Sequence, residues 1–121
     1  MKLTTSTRQV GGVTIVDIRG RLVLGEESAK LRDLAHDLLS KGHKQILLNF
    51  REVNYVDSSG LGTLVSVLAS ARKQNGELKL LNLTNKVHDL LQITKLYTVF
   101  DILDDELTGV QAFGKPAAAT A

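Results

Sequence analysis

The chain has 121 residues, of which 43% are hydrophobic and 23% charged, a composition that suits one folded core and excludes a disordered chain or two ordinary domains. Fifteen basic and thirteen acidic residues leave a net charge of +2, and because their signs are interspersed we expect no nucleic-acid partner. Cysteine is absent, which excludes disulfides and thiolate sites, and without a signal-peptide start or a membrane-length apolar run we expect a cytoplasmic protein that does not insert into membranes.

The first half of the chain predicts a hairpin followed by a helix. Residues 4–10 and 13–20 are typical of strands, and the two glycines between them, Gly11 and Gly12, indicate a turn. Over residues 26–41 the apolar spacing becomes helical and places five side chains on one face: Leu31, Leu34, Ala35, Leu38 and Leu39. Glu26 and Glu27 lie at the N-terminal end of this helix, where the helix dipole favours negative charge.

Residues 45–82 predict a β-α-β unit. The short apolar run at residues 45–50 is typical of a central strand that is covered on both faces. Helical spacing follows at Leu61, Leu64, Val65, Leu68 and Ala71, and a second strand is predicted at residues 77–82. Because a crossover helix joins the two strands, we expect them to pair in parallel.

The last third predicts a helix capped by Thr84, a strand at residues 98–102 and a short final helix. Three side chains of the capped helix are expected on its buried face together with Leu96: Val87, Leu90 and Leu91. The final helix should turn three side chains inward: Leu107, Val110 and Phe113. The whole pattern predicts an α/β fold with a mixed sheet of about five strands and about four helices, as one domain over residues 1–113 with a flexible tail at residues 114–121.

The most informative segment is residues 54–62, Asn-Tyr-Val-Asp-Ser-Ser-Gly-Leu-Gly, which lies between a predicted strand and a predicted helix. Ser and Asp at a helix start ordinarily act as caps. That interpretation does not explain Gly60 and Gly62 in the first turn, where each costs up to about 1 kcal/mol relative to Ala. Missing side chains would let another protein approach closely, and a phosphate added to a hydroxyl there would meet free helix N–H groups.

Motifs for catalysis and cofactor binding are incomplete in this segment. The nucleophile elbow Gly-x-Ser-x-Gly lacks its first glycine. The dinucleotide fingerprint Gly-x-Gly-x-x-Gly lacks its third glycine, because Val65 occupies that position. The three histidines, His36, His43 and His88, have no paired spacing for a metal. We therefore expect no enzymatic activity, no metal site and no cofactor in this chain.

Residues 56–62 closely resemble the signature of bacterial STAS domains of the anti-sigma factor antagonist type, and the order of elements is similar over residues 4–113. The resemblance implies a STAS fold and a switch that regulates transcription. In that family the first serine of Asp-Ser-Ser-Gly, which is Ser58 here, is phosphorylated. The kinase is the anti-sigma factor itself, which the unphosphorylated antagonist binds, and a separate phosphatase resets the cycle. ATP would thus belong to the partner.

From the resemblance we expect one partner-binding surface that combines the loop after the second strand with the start of the following signature helix. Its expected residues are Glu26, Glu27, Asp57, Ser58, Ser59, Gly60, Leu61 and Gly62. Many family members carry an acidic residue after the second strand where this chain has Val23, and Glu26 and Glu27 are the nearest substitutes.

Two other functions remain open from the sequence. One is a STAS adaptor subunit of a membrane transporter ATPase, in which the serine need not be phosphorylated. The other is a small-ligand or nucleotide sensor that holds a phosphate at the turn of residues 60–62.

Overall fold

The computed structural model describes residues 3–113, so the predicted tail at residues 114–121 lies outside the described part. Within residues 3–113 there are five strands, four α-helices and one 3-10 turn. In chain order they are β1 (Thr4–Val10), β2 (Val13–Leu22), α1 (Glu26–Ser40), β3 (Gln45–Val56), α2 (Ser58–Lys73), β4 (Glu77–Leu81), α3 (Asn85–Ile93), the 3-10 turn (Leu96–Thr98), β5 (Ile102–Leu103) and α4 (Glu106–Gln111). The predicted α/β class is confirmed.

The five strands form one mixed sheet in the order β1-β2-β3-β4-β5. β1 and β2 pair antiparallel around a turn in which Gly11 and Gly12 have φ of 55° and 83°, a conformation that glycine adopts without strain. The other neighbours pair in parallel, so the predicted hairpin, β-α-β unit and central position of β3 are all confirmed.

β3 continues six residues beyond its predicted end at residue 50. Residues 51–56 pair with β2 as far as Leu22 opposite Val56. The pairing of β3 with β4 ends earlier, at Asn49. Residues 51–56 are also partly exposed, with polar side chains among them. The apolar run that predicted the strand therefore marks only the half that lies between two neighbours.

The sheet has a core on each face. The larger one packs beneath α1, α2 and α3 and includes Ile46, Leu48 and Phe50 of β3. The smaller one lies beneath α4 and contains five buried residues: Val13, Ile15, Leu47, Leu81 and Phe113. Alternate residues of β3 thus enter opposite cores, as expected for a strand covered on both faces. Within residues 3–113 none of the helices combines the length and the apolarity needed to cross a bilayer.

Two predictions for α3 are wrong. Thr84 occupies the position before α3, but its hydroxyl donates to the Val53 carbonyl of β3 at 3.2 Å and caps no N–H of the helix. Leu96 lies outside α3, which ends at Ile93. Its side chain still packs, half-buried, against the larger core. The hydroxyl of Thr84 therefore ties α3 to β3 instead of closing its own helix.

The predicted last strand is present, but it comprises Ile102–Leu103 instead of residues 98–102, and the predicted inward side chain of Leu107 is wrong. The amides of Val99 and Phe100 donate back to the Leu96 carbonyl at 2.9 and 3.3 Å, so the backbone turns there and only Ile102–Leu103 pairs with β4. Leu107 is 66% exposed, because the short α4 turns other residues toward the sheet. Those residues are Gly109 and Val110, and Phe113 just after the helix is buried in the smaller core.

Candidate functional site

The predicted site lies at the carboxyl ends of β2 and β3. These neighbouring strands are parallel, so the loop from β2 to α1 and the start of α2 emerge at the same edge of the sheet. The Asp57 amide donates to the Leu22 carbonyl at 3.2 Å and joins the two strand ends. The structure therefore brings together the two segments that the sequence analysis assigned to one surface.

Asp57 is the N-cap of α2 and also holds the neighbouring loop. One carboxylate oxygen accepts from the Gly60 amide at 2.7 Å, and the other accepts from the Leu24 amide at 3.1 Å. These backbone N–H groups, that of Gly60 above all, hold the pKa of Asp57 below its usual value because they stabilise the anion. At neutral pH the side chain is therefore a carboxylate that fixes the loop to the helix.

Gly60 is buried, and a side chain at this position would collide with the end of β2. An added Cβ would lie 2.3 Å from the Leu22 carbonyl oxygen and 3.0 Å from a Val56 methyl group. The expectation that Gly60 leaves room for another protein is therefore wrong, because the space is used by this chain's own backbone. Gly62 differs, since it is exposed and an added Cβ would have no neighbour within 4 Å.

The two serines of the signature differ in accessibility. Ser58 is exposed at the first residue of α2, and its hydroxyl makes no hydrogen bond within residues 3–113. Ser59 is half-buried, and its carbonyl accepts from the Thr63 hydroxyl at 3.1 Å. Leu61 is a core residue with 6% exposure. Of these residues, Ser58 offers the most accessible hydroxyl to another protein.

The acidic substitutes proposed for Val23 lie in the first turn of α1. Glu26 is exposed and Glu27 is half-buried. The Val23 carbonyl accepts from the Ser28 hydroxyl at 2.7 Å, which fixes the loop to α1. Neither glutamate is among the described residues that line the two grooves beside α2.

A groove flanks the start of α2 on each side. The α1–α2 groove, of about 480 Å³, is rich in hydroxyl groups and is lined by Leu24, Gly25, Ser28, Arg32, Ser59, Gly62, Thr63 and Ser66. The α2–α3 groove, of about 590 Å³, is more apolar and is lined by Tyr55, Val56, Asp57, Ser58, Leu61, Lys86, Val87, Leu90 and Thr94. Ser58 thus lines the more apolar groove and Ser59 the groove that is richer in hydroxyl groups.

Sequence reasoning missed two exposed apolar side chains beside Ser58. Leu24 is 73% exposed in the loop after β2, and Tyr55 is 43% exposed near the end of β3. The Arg21 guanidinium lies 5.0 Å from the centre of the Tyr55 ring. Apolar residues in a sequence usually indicate core, so only their position beside the signature could have suggested a contact surface.

Sequence comparisons identify related proteins over most of the chain. The profile of the STAS domain family matches residues 4–108. The anti-sigma-B factor antagonist of Bacillus subtilis (strain 168) is 35% identical over 96 residues, which cover 79% of this chain and 81% of that protein.

Structural comparisons agree with the sequence matches. A Thermotoga maritima protein assigned as an anti-sigma factor antagonist superposes with a TM-score of 0.82 at 26% identity, covering 88% of this chain and 92% of that one. The Bacillus cell fate determinant SpoIIAA in its phosphorylated form shares the fold, with a TM-score of 0.67 at 19% identity over 85% of this chain and 92% of that one.

Proposed function

The chain belongs to the STAS domain family, and within it to the anti-sigma factor antagonists, and we propose that it is a non-enzymatic, phosphorylation-controlled switch in transcription. The unphosphorylated chain binds an anti-sigma factor that is a serine kinase, phosphorylation of Ser58 releases that partner, and a phosphatase resets the cycle. The observation that carries the proposal is the exposed Ser58 hydroxyl directly after the fixed Asp57 carboxylate. Such a switch works in the cytoplasm, where ATP and sigma factors are found.

The covalent step needs nothing from this chain except the acceptor hydroxyl. The Ser58 oxygen forms a bond to the γ-phosphorus of ATP, the bond from that phosphorus to ADP breaks, and the hydroxyl proton passes to a base of the kinase. Positioning is the part that this chain supplies. Asp57 fixes the first turn of α2 against the loop carrying Leu24, so the hydroxyl is presented on a rigid edge.

The surface around Ser58 has the mixture expected of a protein contact. Leu24 and Tyr55 expose apolar area near the serine, and Asp57 adds a charge whose position is already set. Buried aromatic and aliphatic anchors typically supply most of the binding free energy at such surfaces. A partner that covers Leu24 and Tyr55 would also cover the Ser58 hydroxyl.

Phosphorylation would weaken that contact through charge. A phosphoserine carries about −1.5 to −2 charges at neutral pH, and here it would lie beside the Asp57 carboxylate. A partner surface fitted to a neutral hydroxyl would have to desolvate this anion, and a penalty of about 3 kcal/mol lowers affinity roughly a hundredfold. Because Ser58 is exposed and its hydroxyl has no hydrogen bond to lose within the described residues, the fold should persist.

The test measures affinity for the cognate anti-sigma factor with the unmodified chain, Ser58→Ala, Ser58→Asp and the phosphorylated chain. Ser58→Ala should bind and resist labelling by the kinase and ATP, whereas Ser58→Asp and the phosphorylated chain should bind at least tenfold more weakly. Ser66→Ala, a serine farther along α2, is the matched control and should still be labelled. Equal affinity of all forms, each with a native melting transition, would contradict the switch and favour a constitutive adaptor.

A further inference from the structure

The α2–α3 groove contains a cation at a position that its own helix disfavours. Lys86 is the second residue of α3, where the positive end of the helix dipole repels a cation. It is exposed, and it forms no ion pair with any acidic side chain of residues 3–113. Among the described residues that line this groove, which include Ser58 and Asp57, it is the only cation.

The Gly60 N–H in the first turn of α2 is already used by Asp57. Its carboxylate accepts from Gly60 and from Leu24, and the Ser59 amide also helps to hold its pKa low. A phosphate on Ser58 would compete with Asp57 for the donors of this turn and would meet the repulsion of the adjacent carboxylate. Its charge needs another counter-ion.

Resting on the proposed function, we infer that Lys86 is the counter-cation of phosphoserine at position 58. The phosphate turns away from the start of α2 into the α2–α3 groove and pairs with the Lys86 ammonium, which a flexible four-carbon stem carries. The pair would lie over the half-buried Leu90 of this groove. Phosphorylation would therefore cover apolar contact area as well as add charge. Lys86 acts here as a positioning residue.

The test uses the full chain with phosphoserine introduced at position 58 during synthesis, so that no kinase is needed. The pH titration of the phosphate is followed by ³¹P NMR in this form and with Lys86→Gln, Lys86→Arg or Lys73→Gln added. Lys73 is the matched control because it lies at the far end of α2, roughly 20 Å along the helix axis. All four proteins should melt as the parent does.

The expected readout is the second pKa of the phosphate. An ammonium nearby favours the dianion, so Lys86→Gln should raise this pKa by about half a unit. Lys86→Arg should retain the low value, and Lys73→Gln should titrate as the parent does. The inference is overturned if Lys86→Gln shifts the pKa no more than Lys73→Gln.

The same proteins separate this inference from the proposed function. If the phosphoserine chain binds the anti-sigma factor roughly a hundredfold more weakly than the unmodified chain while Lys86→Gln leaves the phosphate pKa unchanged, only the role of Lys86 fails. If Lys86→Gln raises the phosphate pKa but phosphorylation leaves partner affinity unaltered, the counter-cation is supported and the switch fails.

Discussion

Asp57 is the residue on which the geometry of the site depends, because its carboxylate joins the loop after β2 to the first turn of α2. Asp57→Ala removes both hydrogen bonds and should lower the free energy of unfolding by about 1–2 kcal/mol. Asp57→Asn should cost less, since an amide oxygen still accepts from the Gly60 amide. Urea unfolding at neutral pH measures both, and equal losses would show that the hydrogen bond to Gly60 contributes little.

The effect of Asp57 should also depend on pH. The folded-state pKa lies below the unfolded value of about 3.9, because the Gly60 and Leu24 N–H groups stabilise the anion. The contribution to stability is therefore present above the unfolded pKa and is lost as the pH falls through the folded pKa. The difference in unfolding free energy between the unmodified chain and Asp57→Ala should shrink below about pH 4. A difference that stays constant in acid would contradict this assignment.

Gly60 and Gly62 offer a matched pair of substitutions in one helical turn. Gly60→Ala places a methyl group against the Leu22 carbonyl oxygen, and the clash should cost about 2 kcal/mol or more because backbone must move. Gly62→Ala meets nothing and should stabilise α2 by up to about 1 kcal/mol. Thermal melting of the two variants provides the measurement. Destabilisation of similar size in both would mean that packing against Leu22 is not the reason for Gly60.

At the scale of elements, α4 is held by the smaller core on its face of the sheet. Phe113 is buried there just after α4, whereas Leu107 within α4 is exposed. Phe113→Ala should therefore cost about 3 kcal/mol, and Leu107→Ala should change stability by less than about 0.5 kcal/mol. Chemical unfolding of both variants tests this contrast. If Phe113→Ala were as mild as Leu107→Ala, the smaller core would not contribute to stability.

Elements with a clear apolar period were predictable from the sequence, and those determined by tertiary hydrogen bonds were not. The helical spacing of α1 and α2 and the apolar run of β3 indicate their structure without further information. Val99 and Phe100 have side chains typical of strands, but they form a turn in which their amides donate to the Leu96 carbonyl. Hydrogen bonding of the Thr84 hydroxyl to Val53 depends on a strand thirty-one residues away, which no local pattern reveals.

The candidate site shows the same division. Asp57 and Ser58 were found because the segment has a recognisable order of residues at a helix start. Tyr55 adjoins this segment in the sequence. Leu24 and Lys86 join it only through the fold, since parallel strands bring two loops to one edge and the start of α3 lies across the α2–α3 groove from Ser58. Their sequence neighbours carry no signal of a shared surface.

At the scale of the whole molecule, the candidate site and the charged network of the sheet lie on different parts of the fold. Arg8 of β1 bonds both Asp17 of β2 and Glu106 of α4, at 2.7 Å each, and Asn49 of β3 also donates to Asp17. The Arg8 guanidinium holds the pKa of the Asp17 carboxyl below its usual value. This network ties the hairpin, the central strand and α4 together without any contact to Ser58.

A phosphate on Ser58 should therefore change the surface around it and leave the rest of the fold as it is. The serine is exposed, and screening limits the reach of its charge to about 10 Å at ordinary salt. Comparing ¹H–¹⁵N spectra of the unmodified chain and the phosphoserine-58 chain, we expect shifts at residues 22–27, 55–63 and 85–90. The amides of Arg8, Asp17 and Asn49 should stay in place. Shifts spread across the whole sheet would instead indicate a switch that works by refolding.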